Sequence, residues 1–366
     1  MSNYYFAIVI MTVTMLVVLS LLINGNRTLS KKKRTGFHLV AALIIIAVCS
    51  EFMGVLLNGT DSSTRVLHIA VKCIELSIAP AIPIICGLSI YPAKHKWAPM
   101  SLIAINFVLE LLSAFYGFIY FVDAQNVYHH CAYYGLYYIA YTLGTIYLLI
   151  YVFRFSSKYQ NQKTMCLATI VVFIFAGIIC QAIDGSLRIV WLTVAIGFSL
   201  FYIYFSDLIL QIDVLTGLLN RGSYDNKIES VNKNVTIMFF DIDHFNHNND
   251  TYGHSAGDKC LKAVSAEVRH AFGKIGLCYR FGGDEFCVIT NRRIGNIEDY
   301  ISAFLKNMDN KRKTEDPKLP YVSIGYADHD HGDSIDDAVW RADRMMYEYK
   351  RKHRLNPLDG SSQDLV

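Results

Sequence analysis

Residues 235–289 decide the fold of the C-terminal part of the chain. They read VTIMFFDIDHFNHNNDTYGHSAGDKCLKAVSAEVRHAFGKIGLCYRFGGDEFCVI. The run Val235–Phe240 is rich in strand-forming residues, and Gly257–Phe272 has a helical pattern. Two apolar runs, Leu277–Arg280 and Phe286–Ile289, surround a Gly-Gly turn and predict a β-hairpin. Strands and helices alternate further along the chain, at 321–326 and 334–351, so we predict an α/β fold with one central sheet flanked by helices.

Two aspartates stand where this fold would bring them together. Asp241 follows the first strand, and Asp284 lies in the hairpin turn after Gly282 and Gly283. If strand and hairpin are neighbours in the sheet, the carboxylates can share a hard divalent cation such as Mg²⁺ with substrate phosphates. Glycines let phosphate oxygens approach the backbone, because no Cβ intervenes. An acidic turn is also common as solvated surface, and the spacing alone leaves that alternative open.

Longer motifs decide between these alternatives. They are Asp213-Val214-Leu215-Thr216-Gly217-Leu218-Leu219-Asn220-Arg221, Phe240-Asp241-Ile242-Asp243-His244-Phe245, Asn249-Asp250, Gly253-His254, Gly257-Asp258, Arg280, Gly282-Gly283-Asp284-Glu285-Phe286, Ser323-Ile324-Gly325, Ala342-Asp343, Met346-Tyr347, Lys350 and Arg354. In order and spacing this region resembles the GGDEF-domain diguanylate cyclases over about residues 213–355. The resemblance implies a palm-like nucleotidyl-cyclase fold.

The resemblance also implies roles for single residues. Metal ligation is implied for Asp241, Asp284 and the Ile242 carbonyl, and catalysis for Asp284 and Glu285, the latter as a metal ligand or an activator of the 3′-hydroxyl. GTP binding is implied for Asn249 and Asp258, which match guanine readers, and for Lys350 and Arg354, which match γ-phosphate contacts. Phe245, Asn246, Gly282 and Gly283 complete the substrate-binding positions.

Two positions depart from the family pattern. Asn246 stands where many members carry Lys, which removes a positive charge near the phosphates. The inhibitory product site of the family, Arg-x-x-Asp, falls on Gly273 and Gly276. We therefore expect no inhibitory product site here.

The implied reaction condenses two GTP into cyclic di-GMP and releases two pyrophosphates. Mg²⁺ or Mn²⁺ is the implied cofactor. Each domain holds one GTP, so a homodimer is required for turnover. The charge balance, 34 Lys and Arg against 31 Asp and Glu, argues against a nucleic-acid polymer as a partner.

The N-terminal half has a different composition. The whole chain is 53% apolar and only 18% charged, with a mean hydropathy of +0.29, and the apolar excess lies in residues 1–205. Seven apolar segments have a length that suits membrane-spanning helices. They are Tyr5–Asn24, His38–Asn58, Leu67–Tyr91, Met100–Phe121, Tyr133–Phe153, Met165–Ile183 and Leu187–Phe205. We predict a multi-pass α-helical bundle of seven helices, rather than the buried helices of a soluble protein.

Basic residues in the loops predict the orientation. The loops after the first, third and fifth segments carry Arg27, Lys31, Lys32, Lys33, Arg34, Lys94, Lys96, Arg154, Lys158 and Lys163. The opposite side has only Arg65 and Arg188. We predict a multi-pass protein of the inner (plasma) membrane, with the N-terminus outside and the C-terminal domain cytoplasmic.

Four ionisable residues, Glu51, Lys72, Glu75 and Glu110, fall within or near the predicted spans. Such groups usually face a bundle interior or a wet cavity. Lys72 and Glu75 are spaced i, i+3 and could pair, while Pro80 and Pro83 would kink or unwind the same span. The group is a candidate ligand site for an unknown small-molecule or membrane signal; a purely structural ion pair is the alternative.

The predicted organisation is a seven-helix sensor (1–205), a short helical linker (206–212), the GGDEF domain (213–355) and a disordered tail (356–366). The sensor half weakly resembles the seven-helix sensor regions of some bacterial kinases and cyclases. Two other functions remain open: a catalytically inactive GGDEF domain that binds GTP or a partner, and a seven-span transporter with a regulatory domain.

Overall fold

The computed structural model of the protein describes residues 3–90, 97–158, 164–184 and 187–355. Side chains at 157, 158, 164, 182 and 353–355, and that of Asn3, are also outside this description. The expected tail at 356–366 and the loop bases Lys94, Lys96 and Lys163 therefore lie outside the described residues. The chain divides into two compact units, Met1–Leu210 and Gln211–Val366.

The first unit is built from helices and one small hairpin. Its elements are α1 (Asn3–Gly25), α2 (Lys31–Leu57), α3 (Arg65–Ile78), α4 (Ala81–Ile90), α5 (Trp97–Tyr116), β1 (Tyr120–Val122), β2 (Tyr128–His130), α6 (Gly135–Lys158), α7 (Thr164–Ile183) and α8 (Val190–Leu210). Six helical stretches in the described part are long and apolar enough to cross a membrane; a seventh, Met165–Gln181, is shorter. Several long apolar helices are thus present, and the seven-span count stays a prediction.

The third predicted span is broken, as its prolines predict. Helix α3 ends at Ile78 and α4 begins at Ala81. Pro80 lies between them and has no N–H to continue the helical hydrogen bonds. The last such bond of α3 runs from the Ala79 amide to the Glu75 carbonyl.

The fourth predicted span is too long. The sequence predicts an apolar span over Met100–Phe121, but α5 ends at Tyr116 and the chain turns into β1. Gly117 has a φ of +67°, which glycine adopts without strain and which ends the helix. The Ser113 hydroxyl then accepts hydrogen bonds from the amides of Ile119 and Tyr120, at 2.9 and 3.1 Å. These bonds fix the start of the hairpin.

The second unit has the predicted α/β composition. Its elements are α9 (Arg221–Glu229), β3 (Val235–Ile242), α10 (Phe245–Tyr252), α11 (His254–Phe272), β4 (Gly276–Arg280), β5 (Glu285–Thr290), α12 (Ile297–Thr314), β6 (Val322–His329) and α13 (Ile335–Leu355). The sheet has the order β4-β5-β3-β6, and every pairing in it is antiparallel. The strand and the hairpin are neighbours, as the metal hypothesis requires.

Alternation along β3 gives each sheet face its own core. Met238, Phe240 and Ile242 face one cluster, which includes Val264 and Phe304 from α11 and α12. Ile237 and Phe239 face the other, with Tyr224 from α9 and Ala338, Ala342 and Met346 from α13. Asp241 follows Ile237 and Phe239 in this alternation, so its side chain lies on the face of the sheet that packs against α13.

The junction between the units is only partly helical. Helix α8 continues to Leu210, as predicted for a linker that extends the last span. Helix does not extend to residue 212, because Ile212 forms an isolated antiparallel bridge with Leu219. The amide of Asn220 also donates to the Gln211 carbonyl at 3.0 Å. The last two linker residues therefore belong to the second unit.

Candidate active site

The end of β3 and the β4–β5 turn meet at one edge of the sheet. Asp241 lies opposite Glu285 in the β3–β5 register. The Ile242 amide donates to the Asp284 carbonyl at 3.3 Å, which joins the strand end to the turn. Three predicted site carboxylates, those of Asp241, Asp284 and Glu285, are thereby brought into one neighbourhood.

The turn itself is held by its own backbone and by Arg280. The amides of Phe281 and Gly282 donate to the Glu285 carbonyl at 2.8 and 3.2 Å. The Arg280 guanidinium donates to the Gly283 carbonyl from Nη2 at 2.7 Å and pairs with Asp213 at 3.2 Å. Arg280 thus connects the β4–β5 turn to Asp213, near the start of the second unit.

Negative charge accumulates at this edge. Burial raises the pKa of Asp284, and the charge of Asp241 raises it further. Burial also raises the pKa of Glu285, with added repulsion from Asp241, Asp284 and Asp343. Because burial and repulsion between the carboxylates both disfavour their charged forms, a cation at this edge would stabilise those forms.

Lys350 supplies one positive charge. Its Nζ lies 2.5 Å from Oδ1 of Asp241, whose residue is only 7% exposed. The contact reaches from α13 to the end of β3 and lies on the sheet face that strand alternation predicts. The charge of Lys350 partly offsets that of the carboxylates of Asp284 and Glu285.

The carboxylates fit a divalent cation only in part. Among the described residues, no group of three or more His, Cys, Asp or Glu side chains has the arrangement needed to hold a metal ion. Asp241, Asp284 and the Ile242 carbonyl would supply few oxygens, so substrate phosphates would have to supply others. This is the arrangement in which proteins often hold Mg²⁺.

The two turn glycines have different surroundings. A Cβ on Gly282 would lie 2.6 Å from Glu285 Oε2, so this glycine makes room for the glutamate side chain. A Cβ on Gly283 would meet no atom within 4 Å. Gly283 is exposed, and its open side is accessible to a ligand.

The predicted guanine readers lie at the junction of α10 and α11. Oδ1 of Asn249 is buried and makes no hydrogen bond among the described residues. A Cβ on Gly257 would lie 1.9 Å from this atom, so a larger residue there would displace the Asn249 side chain. Asp258, next along α11, is exposed. A buried acceptor without a donor beside an exposed carboxylate can receive a ligand with several donors.

The remaining predicted substrate positions are less informative. Phe245 is partly buried and packs against the core on the α11 side of the sheet, whereas Asn246 is exposed. Arg354 lies in α13, four residues after Lys350, but its side chain is outside the described part.

One of the two positions of the family's product site, Gly276, has a structural reason to be glycine. Gly273 follows the C-terminus of α11, and its amide donates to the Arg269 carbonyl at 2.9 Å. Gly276 is buried at the start of β4. A Cβ there would lie 2.6 Å from the Ile289 carbonyl oxygen and 2.8 Å from the Thr290 Cα. An aspartate at 276 would require the sheet backbone to shift.

Comparison with known proteins agrees with this geometry. Residues 210–356 match the family model described as "Diguanylate cyclase, GGDEF domain". This part of the chain is a GGDEF domain. The carboxylates described above therefore lie at one sheet edge of a GGDEF domain.

Curated relatives resemble the GGDEF domain but extend well beyond it. The chain is 29% identical over 157 residues to diguanylate cyclase VdcA of Vibrio cholerae, covering 40% of this chain and 46% of that protein. It is 32% identical over 151 residues to diguanylate cyclase DgcM of Escherichia coli, covering 39% and 36%. The chain thus spans less than half the length of either relative. A crystal structure of the GGDEF domain of DgcB from Caulobacter crescentus with c-di-GMP is 28% identical, with a TM-score of 0.36, covering 39% of this chain and 91% of that one.

Sequence reasoning did not assign a role to Arg280 or Asp213, although both lie in the quoted motifs. The two residues have opposite charges; Asp213 begins the first motif, and Arg280 lies two residues before Gly282. Their pairing joins positions 67 residues apart in the chain. Only the fold shows that contact.

The four ionisable residues predicted in the membrane half come together incompletely. Lys72 Nζ and Glu75 Oε2 form the predicted pair at 2.8 Å. Glu51 accepts a hydrogen bond from the Tyr5 hydroxyl at 2.8 Å and lies 3.8 Å from Arg188. Glu110 makes no hydrogen bond among the described residues. Neither Tyr5 nor Arg188 was predicted as part of this group.

Proposed function

We propose that this chain is a membrane-bound diguanylate cyclase that condenses two GTP into cyclic di-GMP and two pyrophosphates. The observation that carries the proposal is the convergence of Asp241, Asp284 and Glu285, with Lys350, at one edge of a GGDEF fold. The curated relatives named as diguanylate cyclases support the same activity.

Asp241, Asp284 and the Ile242 carbonyl are the proposed metal ligands. Bound Mg²⁺ or Mn²⁺ would neutralise triphosphate charge and polarise the α-phosphorus. Lys350 and Arg354, one helical turn apart on α13, are proposed to bind the γ-phosphate. Lys350 contacts Asp241 without substrate and would exchange that carboxylate for a phosphate oxygen.

Glu285 is proposed to prepare the nucleophile. Its raised pKa, caused by burial and by Asp241 and Asp284, makes it a stronger base than an ordinary carboxylate. It would accept the proton of the 3′-hydroxyl of one GTP. A bond then forms from the 3′-oxygen to the α-phosphorus of the other GTP. The bond from that phosphorus to the bridging oxygen breaks, and pyrophosphate leaves. A second such step closes the ring.

Guanine selection is proposed for Asn249 and Asp258. A carboxylate can accept from both N1–H and the 2-amino group of guanine, and adenine has neither donor at these positions. Adenine would leave the Asp258 carboxylate without its partners, which is an unfavourable exchange. The unpartnered Oδ1 of Asn249 supports a ligand with donors at this point. Gly283, with its open side, is proposed to let phosphate oxygens approach the turn.

The proposed domain organisation follows the two units. Residues 1–205 would be a multi-pass membrane sensor with its N-terminus outside, 206–212 a linker, and 213–355 the cytoplasmic cyclase, which works as a homodimer. Glu51, Lys72, Glu75 and Glu110 are the proposed sensing residues. Within the first unit, α2 links this group to α8: Lys72 packs on Gly54 of α2, and the Phe37 ring of α2 lies 5.4 Å from the Phe205 ring of α8.

The test is direct. Full-length protein in lipid nanodiscs is incubated with GTP and Mg²⁺, and the product is identified by chromatography and mass spectrometry. Cyclic di-GMP and pyrophosphate in a ratio of one to two are expected, with no product from ATP alone. Tight GTP binding without any product would instead favour the alternative of an inactive GGDEF domain that acts as a binding module.

A further inference from the structure

Glu110 of α5 differs from every other carboxylate of the membrane unit discussed above. The residue is 0% exposed, and neither carboxylate oxygen makes a hydrogen bond among the described residues. An isolated carboxylate in a low-dielectric interior is costly unless a cation or a proton compensates it.

The nearby charges are already compensated by each other. Lys72 pairs with Glu75 at 2.8 Å, and Glu51 has Tyr5 and Arg188. None of these positive groups forms an ion pair with Glu110 in the described part of the chain. The group as a whole therefore lacks one positive charge, and the deficit lies at Glu110.

The surroundings of Glu110 are aromatic. A buried cluster of Cys73, Leu76, Ile119 and Tyr120 has Tyr128, Tyr134 and Tyr137 packed against it, together with Leu109, the residue before Glu110. Asn106 and Ser113 lie one turn before and one turn after Glu110 on the same face of α5, and they contact the Leu76 carbonyl at 3.3 Å and the Tyr120 carbonyl at 3.2 Å. The aromatic faces and Glu110 belong to one neighbourhood.

One ring of this cluster already accepts a cation. The Lys72 Nζ lies 5.0 Å from the centre of the Tyr128 ring, within the distance at which ring and ammonium attract. Glu75 completes that ammonium site from one side. This part of the molecule therefore already holds one ammonium group, that of Lys72, between a carboxylate and an aromatic ring.

A further unpartnered acceptor lies beside Tyr128. Nδ1 of His68 is 3.0 Å from Oδ1 of Asn126, and the Asn126 amide nitrogen donates to the Leu57 carbonyl at 2.9 Å. The histidine proton therefore lies on Nδ1, and Nε2 is an acceptor. Nε2 is buried and has no partner among the described residues. The missing groups are donors, which an ammonium ion carries.

We propose that Glu110 and the cluster of Tyr120, Tyr128, Tyr134 and Tyr137 form a binding site for a small organic ammonium ion. The carboxylate would pair with the ammonium, and the tyrosine rings would contact its apolar body. A hard metal ion fits less well, because it requires about six oxygen ligands and gains little from ring faces. This site would lie in the proposed sensor. Binding of the ammonium ion does not depend on the proposed function; only a response of the cyclase to that binding rests on it.

The probe is phenethylammonium, an ammonium ion with one aromatic body, and 2-phenylethanol is its uncharged analogue. Full-length protein in phosphatidylcholine nanodiscs is titrated calorimetrically with each. Wild type should bind the ammonium and not the alcohol. Glu110→Gln should weaken ammonium binding by about 10- to 100-fold, the usual range for loss of a charged hydrogen-bond partner. Asp61→Asn, which changes an exposed carboxylate of the same unit, should bind as wild type does.

Several outcomes would overturn the proposal. They are equal binding of the alcohol, unchanged affinity in Glu110→Gln, or no ammonium binding up to about 10 mM. The last would mean that a proton alone compensates Glu110. If Glu110→Gln unfolds at a lower temperature than wild type, two measurements still test the proposal. They are ammonium binding by Glu110→Asp, which keeps the charge, and the comparison of the two probes on wild type. Since binding is read without GTP, it succeeds or fails independently of the cyclase activity.

Discussion

Asp284 and Glu285 lie partly buried at the edge of a sheet, near Lys350, whereas Glu110 is enclosed among apolar and aromatic side chains. In the GGDEF domain, repulsion among carboxylates is left partly uncompensated where a charged substrate can arrive. Among the ionisable residues predicted as a ligand site in the first unit, Lys72 pairs with Glu75 and Glu51 lies near Arg188. Glu110 makes no hydrogen bond among the described residues. Under both proposals, excess charge marks a binding site, while the paired charges around it maintain the structure.

The largest effect should come from the excess carboxylates. Asp284→Ala and Glu285→Ala should each lower cyclic di-GMP synthesis by about 1,000-fold or more, because each removes a charge that positions metal or nucleophile. The measurement is product formed per minute at saturating GTP. The matched control is Glu348→Gln, an exposed carboxylate of α13 paired with Arg344, which should change the rate by less than about twofold. Normal synthesis by either alanine variant would remove the catalytic assignment.

The paired charges should behave differently when one partner is removed. Lys72→Met should lower the free energy of unfolding by about 3 kcal/mol, because it leaves Glu75 buried and unpaired. Lys72→Met with Glu75→Leu should recover most of that loss. Denaturation in detergent micelles measures both. Equal destabilisation by the single and double changes would show that pairing is not what stabilises this region.

Lys350 pairs with Asp241 and is also proposed to bind a phosphate, so a substitution at this position tests whether one charge has both roles. Lys350→Met should raise the KM for GTP by about 10- to 100-fold, the range expected for one charged contact to a phosphate. Lys352→Met, an exposed neighbour on the same helix, is the control. A lowered kcat with an unchanged KM would mean that Lys350 holds Asp241 and does not bind substrate.

The raised pKa values of Asp284 and Glu285 predict a pH dependence. A carboxyl whose pKa is raised keeps its proton to higher pH, so a metal ion must displace that proton as the pH falls. Mn²⁺ affinity, followed by electron paramagnetic resonance, should therefore fall by about tenfold per pH unit below the raised pKa values. Without metal, the repulsion is relieved as the pH falls, so the folded domain should gain stability in that direction from these groups. A flat Mn²⁺ affinity from pH 7 to about pH 4 would contradict the charge argument.

The smallest effect concerns product. Because Gly273 and Gly276 provide no charged side chain, added cyclic di-GMP should change the initial rate by less than about twofold at fixed GTP, apart from weak competition at the substrate site. Strong non-competitive inhibition that disappears on changing residues 273–276 would show that a product site exists there.

The sequence predicted the two regions unequally, and the reason is physical. In the GGDEF domain, short motifs place Asp241 at a strand end and Asp284 in a turn, and antiparallel pairing brings these local features together. The strands, α11 and α13 were predicted with small errors at their ends, whereas α9, α10 and α12 were not predicted. In the first unit, Tyr5 comes from α1, Glu51 from α2 and Arg188 from the segment before α8. Hydropathy gives the helices but not their neighbours, so these contacts could not be predicted. The end of α5 was also predicted too late, because the apolar residues of the hairpin resemble a continuing span.

The break between α3 and α4 has a mechanical consequence. Pro80 interrupts the hydrogen-bonded rod, so α3, which carries His68, Lys72 and Glu75, can tilt as a separate short lever while α4 stays in place. An axial push on α3 would be absorbed at this joint instead of travelling down the same helix. A sideways displacement of α3 would instead be transmitted to α2, because Lys72 lies against Gly54 of α2. We therefore expect this part of the protein to respond to lateral displacement of α3 and to be insensitive to compression along the α3 axis.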